Sequence, residues 1–314
     1  LPSKRHTSIL SALLCVLAVV GAPALARAPR ARVAHVGGCP ILPASNPLNN
    51  DISGAPVDPR SDAYIASIGA SAHLFADFGF TPRYGMPYVV VGPRQRKVPI
   101  RFTEWGKESN PGPYPVPPNA PVEKGEEEAW GDRHVLVVQQ GSCKLYELYK
   151  AHRHGRGWDA GSGAVFNLRS NALRPEGWTS ADAAGLPIFP LLARYQEVRD
   201  GQITHALRVT VGHSQRAYIH PATHFSSSSS DPSLPPMGLR LRLKAGFDLT
   251  GFHGQALVIL RALKRYGLIV ADEGSPWFIS GAPSRHWSKR DLAQLQQVPG
   301  SAFEAVSTGP LRRR

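Results

Sequence analysis

Residues 134–149 read HVLVVQQGSCKLYELY, and the reading of this stretch decides the fold class. Two runs rich in Val, Leu and Tyr flank Gln140-Gly141-Ser142. Glycine supplies the positive φ that a tight hairpin turn demands, so the stretch is predicted as two antiparallel strands. Alternation along the second strand places Glu147 on one face with Cys143, Leu145 and Tyr149. A carboxyl on a half-buried face needs a partner or takes up a proton. An edge-strand charge that discourages aggregation reads equally well.

Working outward, MPYVVVG (86–92) and VPIRFTEWG (98–106) read as further strands. ITHALRVTV (203–211) alternates, with Ile203, His205, Leu207, Val209 and Val211 on one face and Thr204, Arg208 and Thr210 on the other. MGLRLRLKAG (237–246) sets Leu239, Leu241 and Leu243 against Arg240, Arg242 and Lys244, and LIVADEGSPWFISG (268–281) reads as strand, turn, strand. Helices are few. SDAYIASIG (61–69) opens on Ser61 as a cap and stops at Gly69. QALVILRALKRYG (255–267) gathers Ala256, Leu257, Leu260 and Leu263 on one stripe and stops at Gly267. SKRDLAQLQQV (288–298) carries Ser288 and Asp291 at capping-box spacing. The segments 39–61 and 110–131 are Pro-rich chain, and 226–236 is a serine-rich loop. Many short strands with few helices predict a mainly β protein. The expected form is an antiparallel β-sandwich, jelly-roll-like, with two or three peripheral helices.

The first residues read as an export signal. Lys4, Arg5 and His6 precede an apolar run from Ile9 to Val20, and Ala24-Leu25-Ala26 supplies a small-x-small cleavage pattern. Expected organisation is a signal peptide over 1–26, a flexible leader over 27–38, one β-sandwich domain over 39–307 and a basic tail over 308–314. The apolar run is shorter than the roughly 20 residues of a membrane span. Secretion, extracellular or periplasmic, follows. Outside that segment two cysteines remain, Cys39 and Cys143. An oxidising compartment predicts a bridge between them, with two buried free thiols as the alternative. The formal net charge of +13 suits a polyanion. With no long basic run, aromatic-basic motif or zinc spacing, nucleic acid is not an expected partner.

The blocks CPILPASNPLNNDIS (39–53), GDRHVLVVQQGSCKLYELY (131–149), SNALRPEGWTSADAAGLPIFP (170–190) and ALKRYGLIVADEGSPWFISGAP (262–283) resemble a family of secreted bacterial proteins without a known activity. The resemblance covers nearly the whole chain after the signal. It implies export and domain extent, and no chemistry.

Candidate site residues fall into four groups. His205, His213, His220 and His224 crowd into twenty residues (205–224). On a straight strand His220 and His224 lie about 13 Å apart at roughly 3.3 Å per residue, so a metal held by His205, His220 and His224 requires a bend at Pro221. His205 or His224 could instead act as a general base, and packing or solvation of all four is the plainer reading. The 174–190 segment displays Arg174, Trp178 and Asp182, the cation, stacking ring and carboxylate that sugar sites use. Asp182 with Asp272 is the proposed acid–base pair, with Trp178 and Trp277 stacking sugars; Asp132 and Glu273 are further loop carboxylates. Finally, Arg240 and Arg242 share a face that could grip a polyanion, unless that face is simply solvated. The expected function is a carbohydrate-active hydrolase or lyase acting on an extracellular polysaccharide, acidic ones included. The alternatives are a non-catalytic glycan- or wall-binding module and a histidine-based metalloenzyme. No cofactor is implied.

Overall fold

The hairpin forms as read. In the computed structural model, which describes residues 1–2, 33–81, 83–125, 127–128 and 130–313, Val135–Gln139 pairs antiparallel with Lys144–Tyr149, Val137 opposite Tyr146. Gly141 at the turn has φ +73°. Ser162–Asn167 adds an antiparallel strand on one side, and Tyr88–Val91 a parallel one on the other, completing a four-stranded sheet.

A six-stranded mixed sheet runs in the order Phe303–Val306, Arg240–Leu243, Leu268–Glu273, Leu207–Val211, Phe278–Ser280, Phe75–Asp77. A smaller sheet joins Ile100–Phe102, Gly157–Ala160 and His152–His154. The protein is mainly β, and most of these pairings are antiparallel. Parallel pairs occur within each of the three sheets.

Period-two alternation explains why Val135–Gln139 is buried throughout. Leu136 and Val138 join Leu145, Leu207, Val209 and Leu241 in the main core. Val135 and Val137 point the opposite way, into a second core with Tyr114, Tyr146, Leu148 and Trp158. The four-stranded sheet is thus the wall between two cores. Among the described residues four α-helices decorate this body. The longest, Gly254–Arg265, buries Ala256, Ile259, Leu260 and Leu263 while Leu257 is only half-buried. Ser288 caps Lys289–Ala293 by accepting from the Asp291 N–H.

Two expectations need correction here. Arg240 and Arg242 do not form an open basic face: both are buried. Chain 47–55 lies over them. Arg240 donates to the carbonyls of Pro47 and Tyr266, and Arg242 to those of Ile52, Ser53 and Ala55 and to Glu304. The arginines satisfy a covering strap's carbonyls and grip no polyanion. The leader and tail are also tied down where described. His35–Val36 pairs with Cys39–Pro40, and Arg312 exchanges backbone hydrogen bonds with Tyr218.

Cys39 and Cys143 are bridged, 5.4 Å apart at Cα, stapling the N-terminal segment to the hairpin turn. Residues 31–314 form one compact unit. The expected signal segment, including its basic, apolar and cleavage residues, lies outside the described residues. Among the described residues no helix is long and apolar enough to cross a membrane.

Candidate functional site

The site is built on an irregularity in the six-stranded sheet. Leu207–Val211 runs parallel to Leu268–Glu273, with Arg208 beside Ile269 and Val209 beside Val270. Thr210 then pairs with Asp272, leaving Ala271 as an extra residue. Without this bulge, Ala271 would share the face of Arg208 and Thr210, and Asp272 would point away. The bulge moves Asp272 onto that face, the usual re-aiming effect of such an insertion.

Arg208 lies beneath, fully buried. It forks onto Asp182 at 2.9 and 2.8 Å, reaches Asp272 Oδ2 at 2.8 Å and donates to Ser280 Oγ. One nitrogen, Nη2, serves both carboxylates, so their nearest oxygens lie within twice the 2.8 Å bond length of each other. The sequence pair Asp182 and Asp272 is therefore brought together, but in unequal roles. The Asp182 side chain is sealed from solvent, while 24% of the Asp272 side chain is exposed.

The loop carrying Asp182 is held rigidly. Thr179 Oγ1 and Ser180 Oγ both donate to the Asp182 carbonyl, and the Ala184 N–H donates to the carbonyl of the bulged Ala271. Gly185 has φ +73°, and a Cβ there would lie 2.2 Å from Thr223 Oγ1, so only glycine fits the turn. Arg174 is part of this clamp: buried, it donates to Thr179 O, Asn110 Oδ1 and Glu108 O. Its guanidinium is consumed internally, which removes it as a substrate ligand.

Behind Asp182 sits a residue that the sequence reading passed over. His134 donates through Nδ1–H to Glu123 at 2.7 Å and through Nε2–H to the Ala181 carbonyl at 2.9 Å. A carbonyl and a carboxylate can only accept, so both ring nitrogens carry protons. Burial opposes that charge, but the Glu123 carboxylate outweighs it and holds His134 up at about 9. Glu123 is buried too, yet His134 keeps it below its ordinary value.

Burial also raises Asp77, which does not line the open pocket; among the groups that do, charge balance singles out one. His134 is matched by Glu123, and Arg208 by the bidentate Asp182. Asp272 is the carboxyl left over on the open side. Burial pushes its pKa up; Arg208 pulls it back in part, and the charges of Asp182 and Asp132 raise it again, to about 7. Glu147 also rises to about 7, chiefly through burial, although the N–H groups of Ile188 and Phe189 donate to it. Its side chain is sealed in the core, so of the two Asp272 is the carboxyl that meets solvent.

Asp272 opens into a pocket of about 500 Å³ with Trp105, Asp132, Tyr149, His224 and Phe225 among its lining. Trp105 is 40% exposed and packs against Tyr149, forming an aromatic wall. His224 donates from Nδ1 to the Ala183 carbonyl at 2.8 Å and stacks on Phe225. Among the described residues no Lys or Arg lines the pocket, although Lys150 and Arg216 lie over the rings of its lining residues Tyr149 and Phe225.

The other expected site residues lie elsewhere. Trp277 is fully buried, donates to the Gly69 carbonyl and stacks on Phe303, so it is no sugar platform. Trp178 is half-buried against Arg174 and does not line the pocket. His205 is buried between Arg194, Glu197 and the Ala206 carbonyl, which leaves it unable to reach substrate. His220 pairs with Glu176 at 2.6 Å. The three histidines thus have separate partners. Among the described residues no group of three or more His, Cys, Asp or Glu side chains is placed to hold a metal.

Trp105, Asp132 and Arg208 are the candidate site residues to which the sequence pattern assigns no role. Asp132 immediately precedes the hairpin and was visible as a loop carboxylate. Trp105 gave no signal beyond its strand context. No protein-family model, curated protein or solved structure matches the chain.

Proposed function

We propose that the protein is an extracellular carbohydrate-active enzyme that hydrolyses a polysaccharide. The observation that carries this reading is Asp272, a carboxyl poised near neutrality, half-open to a pocket that also holds a second carboxylate and an aromatic wall. Glycoside hydrolysis uses this pairing: a protonated carboxyl gives its proton to the leaving oxygen, and an ionised carboxylate on the other side assists the incoming water. Asp272 fills the first role. Asp132 replaces Asp182 in the second, because Asp182 is committed to Arg208. Trp105 and Tyr149 offer the flat apolar surface on which a sugar ring packs.

Hydrolysis is favoured over elimination by the lining. A lyase must neutralise the uronate carboxylate while a proton leaves the adjacent carbon, and cations do that work. Among the described residues the pocket lining has carboxylates and no Lys or Arg, and the nearby Lys150 is held by Glu104. The disulfide and the resemblance to secreted bacterial proteins support an extracellular setting.

The test is incubation of the protein with neutral and acidic polysaccharides, reading new reducing ends and new unsaturated ends separately. Reducing ends that disappear in Asp272→Asn support the proposal. Unsaturated ends, or activity that survives in Asp272→Asn, would overturn it.

A further inference from the structure

A second recess lies on the outer, three-stranded sheet. It has a volume of about 380 Å³ and combines three arginines, Arg96, Arg153 and Arg156, with an aliphatic floor of Val98, Val116 and Pro118. All three arginines are exposed, as are Arg94 and Lys97 on the same loop. Among the described residues, Asp159 is the carboxylate of this sheet, and it is paired with Arg101 and His154. No ion pair joins a carboxylate to Arg94, Arg96, Lys97 or Arg156 among the described residues. This end of the molecule therefore presents guanidinium forks over an apolar floor.

We infer that this recess is an anchoring site for uronate groups of an acidic polysaccharide whose neutral residues enter the Asp272 pocket. The inference rests on the hydrolase reading and extends it to the substrate class. Arginine forks match carboxylates in a bidentate geometry. The aliphatic floor suits the C–H face of a pyranose ring. Trp158 lies under Arg153 and is buried, so no open aromatic face is offered on which nucleic-acid bases would stack. Anionic sugar is disfavoured in the main pocket, which is lined by carboxylates, and favoured here.

Topology links the two recesses. Val98 in the floor and Trp105 in the Asp272 pocket flank the strand Ile100–Phe102, and four positions separate Tyr149, which ends one strand and lines the pocket, from Arg153 in the next. Seven residues span at most about 23 Å at roughly 3.3 Å each. A polysaccharide of a few rings has the length that separates the two recesses.

The test uses the full chain carrying Asp272→Asn, so that no polymer is cut, in native gels containing polygalacturonate, neutral dextran or duplex DNA. Expected is retardation by polygalacturonate alone, weakened by salt, and weakened roughly tenfold or more in Arg96→Ala/Arg156→Ala, a loss of about 1.4 kcal/mol. Both side chains are exposed, and an unchanged urea midpoint confirms that the double variant folds. Retardation that persists in the double variant, equal retardation by DNA, or none by polygalacturonate would each overturn the inference. Its failure is separable from that of the hydrolase reading. Reducing-end release without arginine-dependent retardation sinks the anchor alone, and retardation without release sinks hydrolysis alone.

Discussion

Replacing Asp272 by Asn should inactivate the protein and let it gain stability on its parent as the pH rises through neutrality. A carboxyl held at about 7 instead of 3.8 resists ionisation by about 4 kcal/mol, taking about 1.36 kcal/mol for each tenfold step. Since 24% of the side chain meets solvent, water screens part of this, and about 2–4 kcal/mol should be observable. The folded-state value lies above the unfolded one, so the folded protein retains a proton that the unfolded chain releases. The contribution of Asp272 is full below about pH 4 and is lost as the pH rises through about 7. Asn mimics the protonated carboxyl and does not titrate. It sets an amide against either the Arg208 fork or the Glu273 N–H, both of which now meet carboxylate oxygens. That conflict costs about 1–3 kcal/mol at every pH. The informative quantity is therefore the change in the stability gap with pH. Urea melts of both proteins should show the variant gaining about 2–4 kcal/mol on its parent between about pH 4.5 and pH 8.5. His134 and Glu147 titrate in both and cancel. A gap independent of pH would refute the reasoning, because Asp272 would then be an ordinary carboxylate.

His134 lies at about 9, above its ordinary 6.5, so its contribution is full below about pH 6.5 and disappears as the pH rises through about 9. His134→Gln should remove a loss of about 3 kcal/mol over that window, read by urea melts; an unchanged slope would mean that His134 is neutral in the fold. Replacing both cysteines by serine opens a closure spanning 104 residues and should lower stability by about 4–5 kcal/mol in the chain-entropy view, measured the same way. A loss below about 1 kcal/mol would show that the strap over Arg240 and Arg242 needs no staple. Trp105→Ala removes half of the exposed aromatic wall and should raise KM roughly tenfold with kcat little changed, in steady-state hydrolysis. An equal fall in kcat would place the indole at the reacting bond instead.

Local pattern carried the fold as far as alternation and turn chemistry reach. Val135 to Val138 alternate between two cores, and a run of four apolar residues with a hairpin turn announces a strand whatever covers it. What covers it is a long-range matter. Arg240 and Arg242 alternate with leucines as a solvated face would, yet residues 47–55, nearly two hundred positions earlier, lie over them and accept from both guanidinium groups. Trp277 is misread for the same reason: Phe303 and the Gly69 carbonyl, both distant in sequence, bury it. Pairing of Asp182 with Asp272 was legible as composition, two carboxylates in loop-like segments. The bulge at Ala271 was not, since no residue type marks it and only the register with Leu207–Val211 reveals it.

That bulge explains why this fold tolerates an ionisable group where a hydrophobic contact would hold it better. A regular strand would turn Ala271 toward Arg208, leaving Arg208 matched by Asp182 alone and the buried charges balanced. Inserting one residue presents a second carboxylate to a cation that is already satisfied, and the price of that surplus is the elevated proton affinity of Asp272. An apolar core gains nothing from such an arrangement, because a buried charge with a shared partner costs more than it returns. A pocket that must hold a proton at neutral pH gains its acid from it. The unfavourable placement of Asp272 and its proposed role as proton donor are therefore one property, and the inactivating Asn variant, which gains on its parent as the pH rises, is the form in which the two separate.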